Sequence, residues 1–320
     1  MSRPRLALLA LLALAVTACG GSGGSAASGD PTVTLALDFT PNAVHAPLYQ
    51  AVRDGHDRAR GIHLAIRKPG EGPDSVKLVA SGKVDLGVLD IQDLALARER
   101  GTDLVAIGAL VGRPLAALIA QPDIARPRDL AGKAVGVSGL PSDPAFVSAV
   151  MRHDGGNPGS VREVTIGFNA VGALLSRKVA AVPAFWNAEG VALQHRGRHV
   201  REFRIDDYGA PRYPEVVLMT SRKELTEHRD RLERALQAIE DGRRDVLAHP
   251  GAAAQEIARV AETSDVGLVR AQLDAVDGAF APGLELDRGV LERWARFDAR
   301  IGIVDRAPDV ARAFDFSMAP

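Results

Sequence analysis

The chain has 320 residues, 46% hydrophobic and 4% aromatic, with 39 basic residues against 40 acidic and one cysteine. So even a balance lacks the electrostatic footprint of a nucleic-acid binder or of a protein for an anionic membrane face. A lone cysteine excludes an internal disulfide framework and a cysteine metal centre, and the length allows more than one hydrophobic core.

Residues 1–18 read as an export leader. Arg3 and Arg5 supply its positive end, and the apolar run over 6–16 is too short for a permanent membrane span. The run ends in Val16-Thr17-Ala18-Cys19, which resembles a bacterial lipobox and predicts lipidation at Cys19. Residues 19–31, rich in Gly and Ser, then form a flexible tether.

From there short β-type runs alternate with helical ones. Strands are predicted over 32–38, 63–68, 86–90 and 104–111, with helices over 46–60 (interrupted near Gly55), 74–81 and 91–100. A proline-marked crossover follows near residue 120. The second set has strands over 134–138, 161–167, 180–185 and 199–205, and helices over 144–153, 171–176 and 187–194. A return strand spans 213–220, and an amphipathic helical tail breaks at Pro250-Gly251, Thr263-Ser264 and Pro282-Gly283. This alternation implies two α/β units, each a mainly parallel sheet covered by helices. Residues 32–121 with 221–320 make the first lobe and 122–220 the second, with a hinged cleft between them.

The first strand delivers Asp38, Phe39, Asn42 and His45 to its carboxyl edge, where open α/β sheets bind ligands. Phe39 offers a stacking face and Asn42 both a donor and an acceptor. His45 serves either the helix that follows or a ligand. Asp90 ends the 86–90 strand at the same edge, as a cap for the helix at Ile91, as a cleft group, or as both. In the second unit the turn Ser138-Gly139-Leu140-Pro141-Ser142 exposes N–H groups to a polar ligand, and Asn169 ends the next strand. Trp186-Asn187-Ala188-Glu189 brings a ring, an amide and a carboxylate to one strand end. The competing reading makes Trp186 core and Glu189 a first-turn helix acid. Tyr213, just before the return strand, is a further cleft aromatic, whereas Trp294 has core spacing. The eight histidines are scattered, and no hydrolase or metal motif is present. No catalytic residue, metal or cofactor is expected.

Four motifs occur in order: Asp38-Phe39-Thr40-Pro41-Asn42-x-x-His45, Gly82-Lys83-Val84-Asp85-Leu86-Gly87, the stretch over 129–137, and Trp186-Asn187-Ala188-Glu189. Together they resemble the substrate-binding proteins of ABC importers, in the branch that takes up thiamine pyrimidine precursors. The resemblance implies a two-lobed periplasmic-binding-protein fold of type II with a ligand cleft between the lobes. It also implies a monomer, lipid-anchored on the outer face of the cytoplasmic membrane, whose partners are a membrane permease and its ATPase. A planar heteroaromatic would be captured by lobe closure, with Phe39 clamping it against Trp186 or Tyr213. Phe39 stands where the family usually has tryptophan, so the indole N–H is given up. Riboflavin, sulfonate, nitrate and taurine binders share the wider fold, which leaves a flavin or a small sulfonate as the other ligand readings. A fungal branch of the superfamily is enzymatic and makes the pyrimidine from histidine and pyridoxal phosphate. That chemistry needs a Schiff-base lysine and a cysteine-rich iron site, and residues 51–55 here read Ala-Val-Arg-Asp-Gly. A binding protein, not an enzyme, is the expectation.

Overall fold

A computed structural model describes residues 30–69 and 75–320. The predicted leader, Cys19 and most of the predicted tether lie outside the described residues. The strands are β1 (Thr32–Ala36), β2 (His63–Arg67), β3 (Leu86–Asp90), β4 (Leu104–Val111), β5 (Ala116–Ala120), β6 (Ala134–Val137), β7 (Arg162–Thr165), β8 (Ala181–Phe185), β9 (Arg201–Arg204) and β10 (Val216–Ser221). Helices α1 (Ala46–Arg53), α2 (His56–Ala59), α3 (Ser75–Ala80) and α4 (Ile91–Glu99) serve the first unit. The second carries α5 (Ser142–His153), α6 (Ala170–Leu175) and α7 (Val191–His195). The tail holds α8 (Arg222–Glu227), α9 (Arg229–Ala248), α10 (Pro250–Val260), α11 (Val266–Val276), α12 (Arg288–Ile301) and α13 (Val310–Ala313).

The strands form two five-stranded sheets, ordered β2-β1-β3-β10-β4 and β7-β6-β8-β5-β9. The two orders are the same pattern, each with one strand of opposite direction. β10 pairs antiparallel with β3 and β4, and β5 pairs antiparallel with β8 and β9. Those two strands are the ones exchanged between the units. β5 follows the first unit in sequence yet pairs in the second sheet, and β10 follows the second unit yet pairs in the first. The crossings therefore fall at 112–115 and 205–215, earlier than residues 120 and 220. Apolar runs such as Ala116–Ala120 carry no mark of which sheet will bury them, so composition sets a strand's existence and not its sheet.

The tail does more than complete the first sheet. Trp294 on α12 is fully buried, edge-on to Phe314 at 5.8 Å. Phe314 and Phe280 bridge to β4 at Ala106 and Val111, so the tail covers that edge strand. α9 crosses α1 at Gly242, where a Cβ would meet the Pro47 carbonyl and lie 2.7 Å from the Ala51 nitrogen. α11 reaches the other unit: it packs on α7, and Gln272 donates to the Ala188 carbonyl at 3.2 Å.

Three contacts tie the crossings together. The Arg113 guanidinium pairs with Asp206 at 2.9 Å. The Trp186 indole N–H donates to the Pro114 carbonyl at 3.1 Å. Glu215 accepts the N–H groups of Leu115 and Ala116 at 2.7 and 3.2 Å.

Candidate functional site

The carboxyl ends of β1, β3, β6, β7 and β8 converge on a cavity of about 230 Å³ between the two sheets. Asp38, Phe39, Asp90, Gln92 and Asp93 line it from the first unit. The second unit faces them with Ser138, Phe168, Phe185 and Glu189, while Tyr213 and Glu215 from the return crossing complete the lining. Among the described residues, no arginine or lysine lines the cavity.

Asp38 and His45 meet at the end of β1. The Asn42 N–H donates to His45 Nδ1 at 3.2 Å, which requires a lone pair there, so Nε2 carries the hydrogen donated to Asp38 at 2.8 Å. His45 is buried and orients the Asp38 carboxylate, which is itself partly exposed to the cleft. Asn42 spends its side chain locally, accepting from the Val44 N–H at 2.9 Å and donating to the Thr40 carbonyl at 3.1 Å. It is a cap of the turn that carries His45 and does not present a free amide.

Phe39 lies 44% exposed, and its ring sits 5.8 Å from that of Phe168 at 57°. The two rings meet across the cleft, one from each unit. Phe39 therefore pairs with Phe168, not with Trp186 or Tyr213. Tyr213 is buried in the cavity wall. Trp186 is not a lining residue; it is 4% exposed, with the Arg204 guanidinium 4.1 Å from its ring. A π-helical turn over Trp186–Gly190 turns the indole inward to the crossing and leaves Asn187 and Glu189 toward the cleft. Trp186 belongs to the hydrophobic core cluster.

Two further residues fall short of the cavity. Gly139 supplies a left-handed turn at φ +99° but does not line it. Asn169 lies over Gly172 at the start of α6 and is also absent from the lining. Ser138 does line the cavity, yet its N–H and hydroxyl both donate to Asp143, at 2.6 and 2.7 Å. That turn is therefore already satisfied by an internal carboxylate and is not an open anion nest.

The acids set the electrostatics. Asp90 makes no side-chain cap to α4, and its Oδ1 is buried without a partner. Burial, then Glu215 and Asp38, push its carboxyl well above the usual range. Burial lifts Asp93 to about 6, with Asp38 adding to it. Glu215 is pushed up to about 7 by burial, against the two N–H groups it accepts. Glu189 accepts the Phe185 N–H at 3.0 Å, and burial raises it too. Such carboxyls hold a proton more readily than usual and can donate as well as accept. Gln92, Asp93, Phe168 and Glu215 escaped the sequence reading. The Gly167-Phe168-Asn169 stretch did place an aromatic at a strand end, which was the available sign for Phe168.

A family model described as NMT1/THI5 like matches residues 42–253, well over half of the chain. The chain belongs to the NMT1/THI5-like family. Among members of known name, the formylaminopyrimidine-binding protein of Halalkalibacterium halodurans is 33% identical over 193 residues. That match covers 59% of this chain and 58% of the relative's own length. A 4-amino-5-hydroxymethyl-2-methylpyrimidine phosphate synthase of Aspergillus parasiticus is 24% identical, over 85% of this chain and 83% of its own. Among solved structures, the periplasmic aliphatic sulphonate binding protein SsuA of Escherichia coli superposes with a TM-score of 0.72 at 15% identity. It covers 88% of this chain and 91% of SsuA, a likeness of fold alone. This NMT1/THI5-like chain thus has the two-lobed fold of the periplasmic binding proteins, as its sheet topology indicates.

Proposed function

We propose that this protein is the extracytoplasmic solute-binding component of an ABC importer and that it captures an aminopyrimidine of the thiamine-precursor class by lobe closure. The observation that carries this reading is the composition of the cleft: two facing aromatic rings and a set of proton-holding carboxyls, with no cationic side chain in the lining. An aminopyrimidine places a ring-nitrogen acceptor beside an amine donor. A carboxyl that can donate through O–H and accept through C=O matches that edge, and Glu189 lines the cleft. A sulfonate or nitrate would find carboxyls there and no cationic side chain among the described lining residues, a poor match for an anion. A flavin is the second reading, since its ring also stacks.

The family relatives include both binding proteins and synthases. Against an enzymatic role, no lysine is among the described residues that line the cleft, and the single cysteine is at position 19. The group needed to form a Schiff base is thus not at hand. The open form would expose the cleft, and a ligand held by both lobes would favour closure only by its preference for the closed state. The closed monomer would dock on a permease with its ATPase, tethered through lipidated Cys19. If so, Cys19→Ser should move the protein out of the membrane fraction; unchanged retention would refute the anchor.

A thermal-shift panel tests the ligand class. An aminopyrimidine should raise the melting temperature in step with its concentration, as RT ln(1 + [L]/Kd) requires, while alkanesulfonates should not. Stabilisation by a sulfonate or a flavin alone would overturn the assignment.

A further inference from the structure

The outgoing and return crossings are joined by an ion pair that is only half made. Arg113 Nη2 donates to Asp206 Oδ2 at 2.9 Å. Arg113 Nε and Asp206 Oδ1 are both buried without a hydrogen-bond partner. Nε and Nη2 are adjacent donors on one edge of the guanidinium, and Oδ1 and Oδ2 are the acceptors of one carboxylate. The bond not made is therefore the second arm of a fork. The Arg212 guanidinium stays 3.9 Å away, on the oxygen that is already engaged. With the Asp206 side chain 4% exposed, the two unmatched atoms raise the free energy of this arrangement.

The half-made fork belongs to a shut cleft. Phe39 and Phe168, one from each unit, meet across it with ring centroids 5.8 Å apart. Arg113 lies between β4 and β5, and Asp206 on the turn over Ile205–Tyr208 that follows β9. Rotation of the units about these two segments turns the guanidinium against the carboxylate. Neither residue lines the cavity. We propose that Arg113 and Asp206 form a hinge latch, one-armed with the lobes shut and two-armed with them apart, which holds the ligand-free protein open. The proposal rests on the reading that the lobes open and close, but not on which solute they take. Its consequence is a threshold, because apparent affinity is intrinsic affinity scaled by the fraction of protein in the closed state.

Small-angle X-ray scattering of the ligand-free protein tests the latch, with wild type beside Arg113→Lys. Lysine keeps the charge and one arm but cannot fork. Wild type should show a larger radius of gyration than the closed structure gives. Arg113→Lys should lower the open-to-closed ratio about tenfold, the order of one hydrogen bond to a charged group, and bring the radius down. Asp206→Asn, which also loses the second acceptor, should do the same and serves if the first variant fails to fold. A wild type already at the closed radius would overturn the latch together with lobe opening. An open wild type whose variants stay open, or open further, would overturn the latch alone. A lower melting temperature at an unchanged radius would likewise overturn it, by making the pair merely structural.

Discussion

Replacing Trp186 by alanine is expected to destabilise the ligand-free protein by about 3–5 kcal/mol, the range for truncating a buried aromatic. The indole fills space between the units, stacks under the Arg204 guanidinium and donates to the Pro114 carbonyl in the first crossing. Its removal leaves a cavity, an unpaired carbonyl and a looser crossing, and all three act before any ligand binds. At roughly 2–4 °C per kcal/mol for a protein of this size, the melting temperature should fall by about 6–20 °C. Chemical and thermal unfolding of the ligand-free variant measure this. An unchanged transition with loss of ligand-induced stabilisation would return Trp186 to the cleft.

Glu215→Gln is expected to flatten the pH dependence of stability and to raise stability above neutrality. Burial lifts the Glu215 carboxyl from 4.5 to about 7 in the folded protein. Between those values the folded state keeps a proton that the unfolded chain has released. Stability therefore declines as pH rises through that window, by something on the order of 3 kcal/mol for this group. The contribution is fully present below the unfolded value and lost once pH passes about 7. Asp93, lifted to about 6, acts in the same sense over a lower range. Glutamine keeps a carbonyl oxygen for the Leu115 and Ala116 N–H groups but has nothing to titrate. The variant should match wild type near pH 5 and unfold at higher denaturant concentration near pH 8. The same slope in both proteins, or a less stable variant at pH 8, would contradict the placement of this charge.

Much of the frame was legible because it depends on local pattern. β3 and β4 follow from continuous apolar runs, and the sheet edge bearing Asp38 and Asp90 follows from where those runs stop. What escaped depends on neighbours distant in sequence. Glu215 reaches the cleft because Val216 pairs with Asp90 across β10 and β3, a register that no local pattern carries. The exchange of β5 and β10 between sheets is of the same kind. Trp186 misled because a strand-end aromatic beside an amide and an acid has two outcomes. The π-helical turn decides between them by rotating the indole to the crossing and the next side chains to the cleft. Asn169 and Gly139 followed the correct strand ends, but local turn geometry kept them out of the lining.

Calorimetric titration with 4-amino-5-hydroxymethyl-2-methylpyrimidine, wild type beside Glu189→Leu, tests the central claim most directly. A carboxyl that meets the ring nitrogen and the amine together predicts saturable one-to-one binding by wild type. The variant should lose about tenfold or more in affinity, because leucine offers the ring nitrogen and the amine neither a donor nor an acceptor. Ethanesulfonate should give no saturable heat. No binding of the pyrimidine, with a saturable isotherm for the sulfonate, would contradict the account.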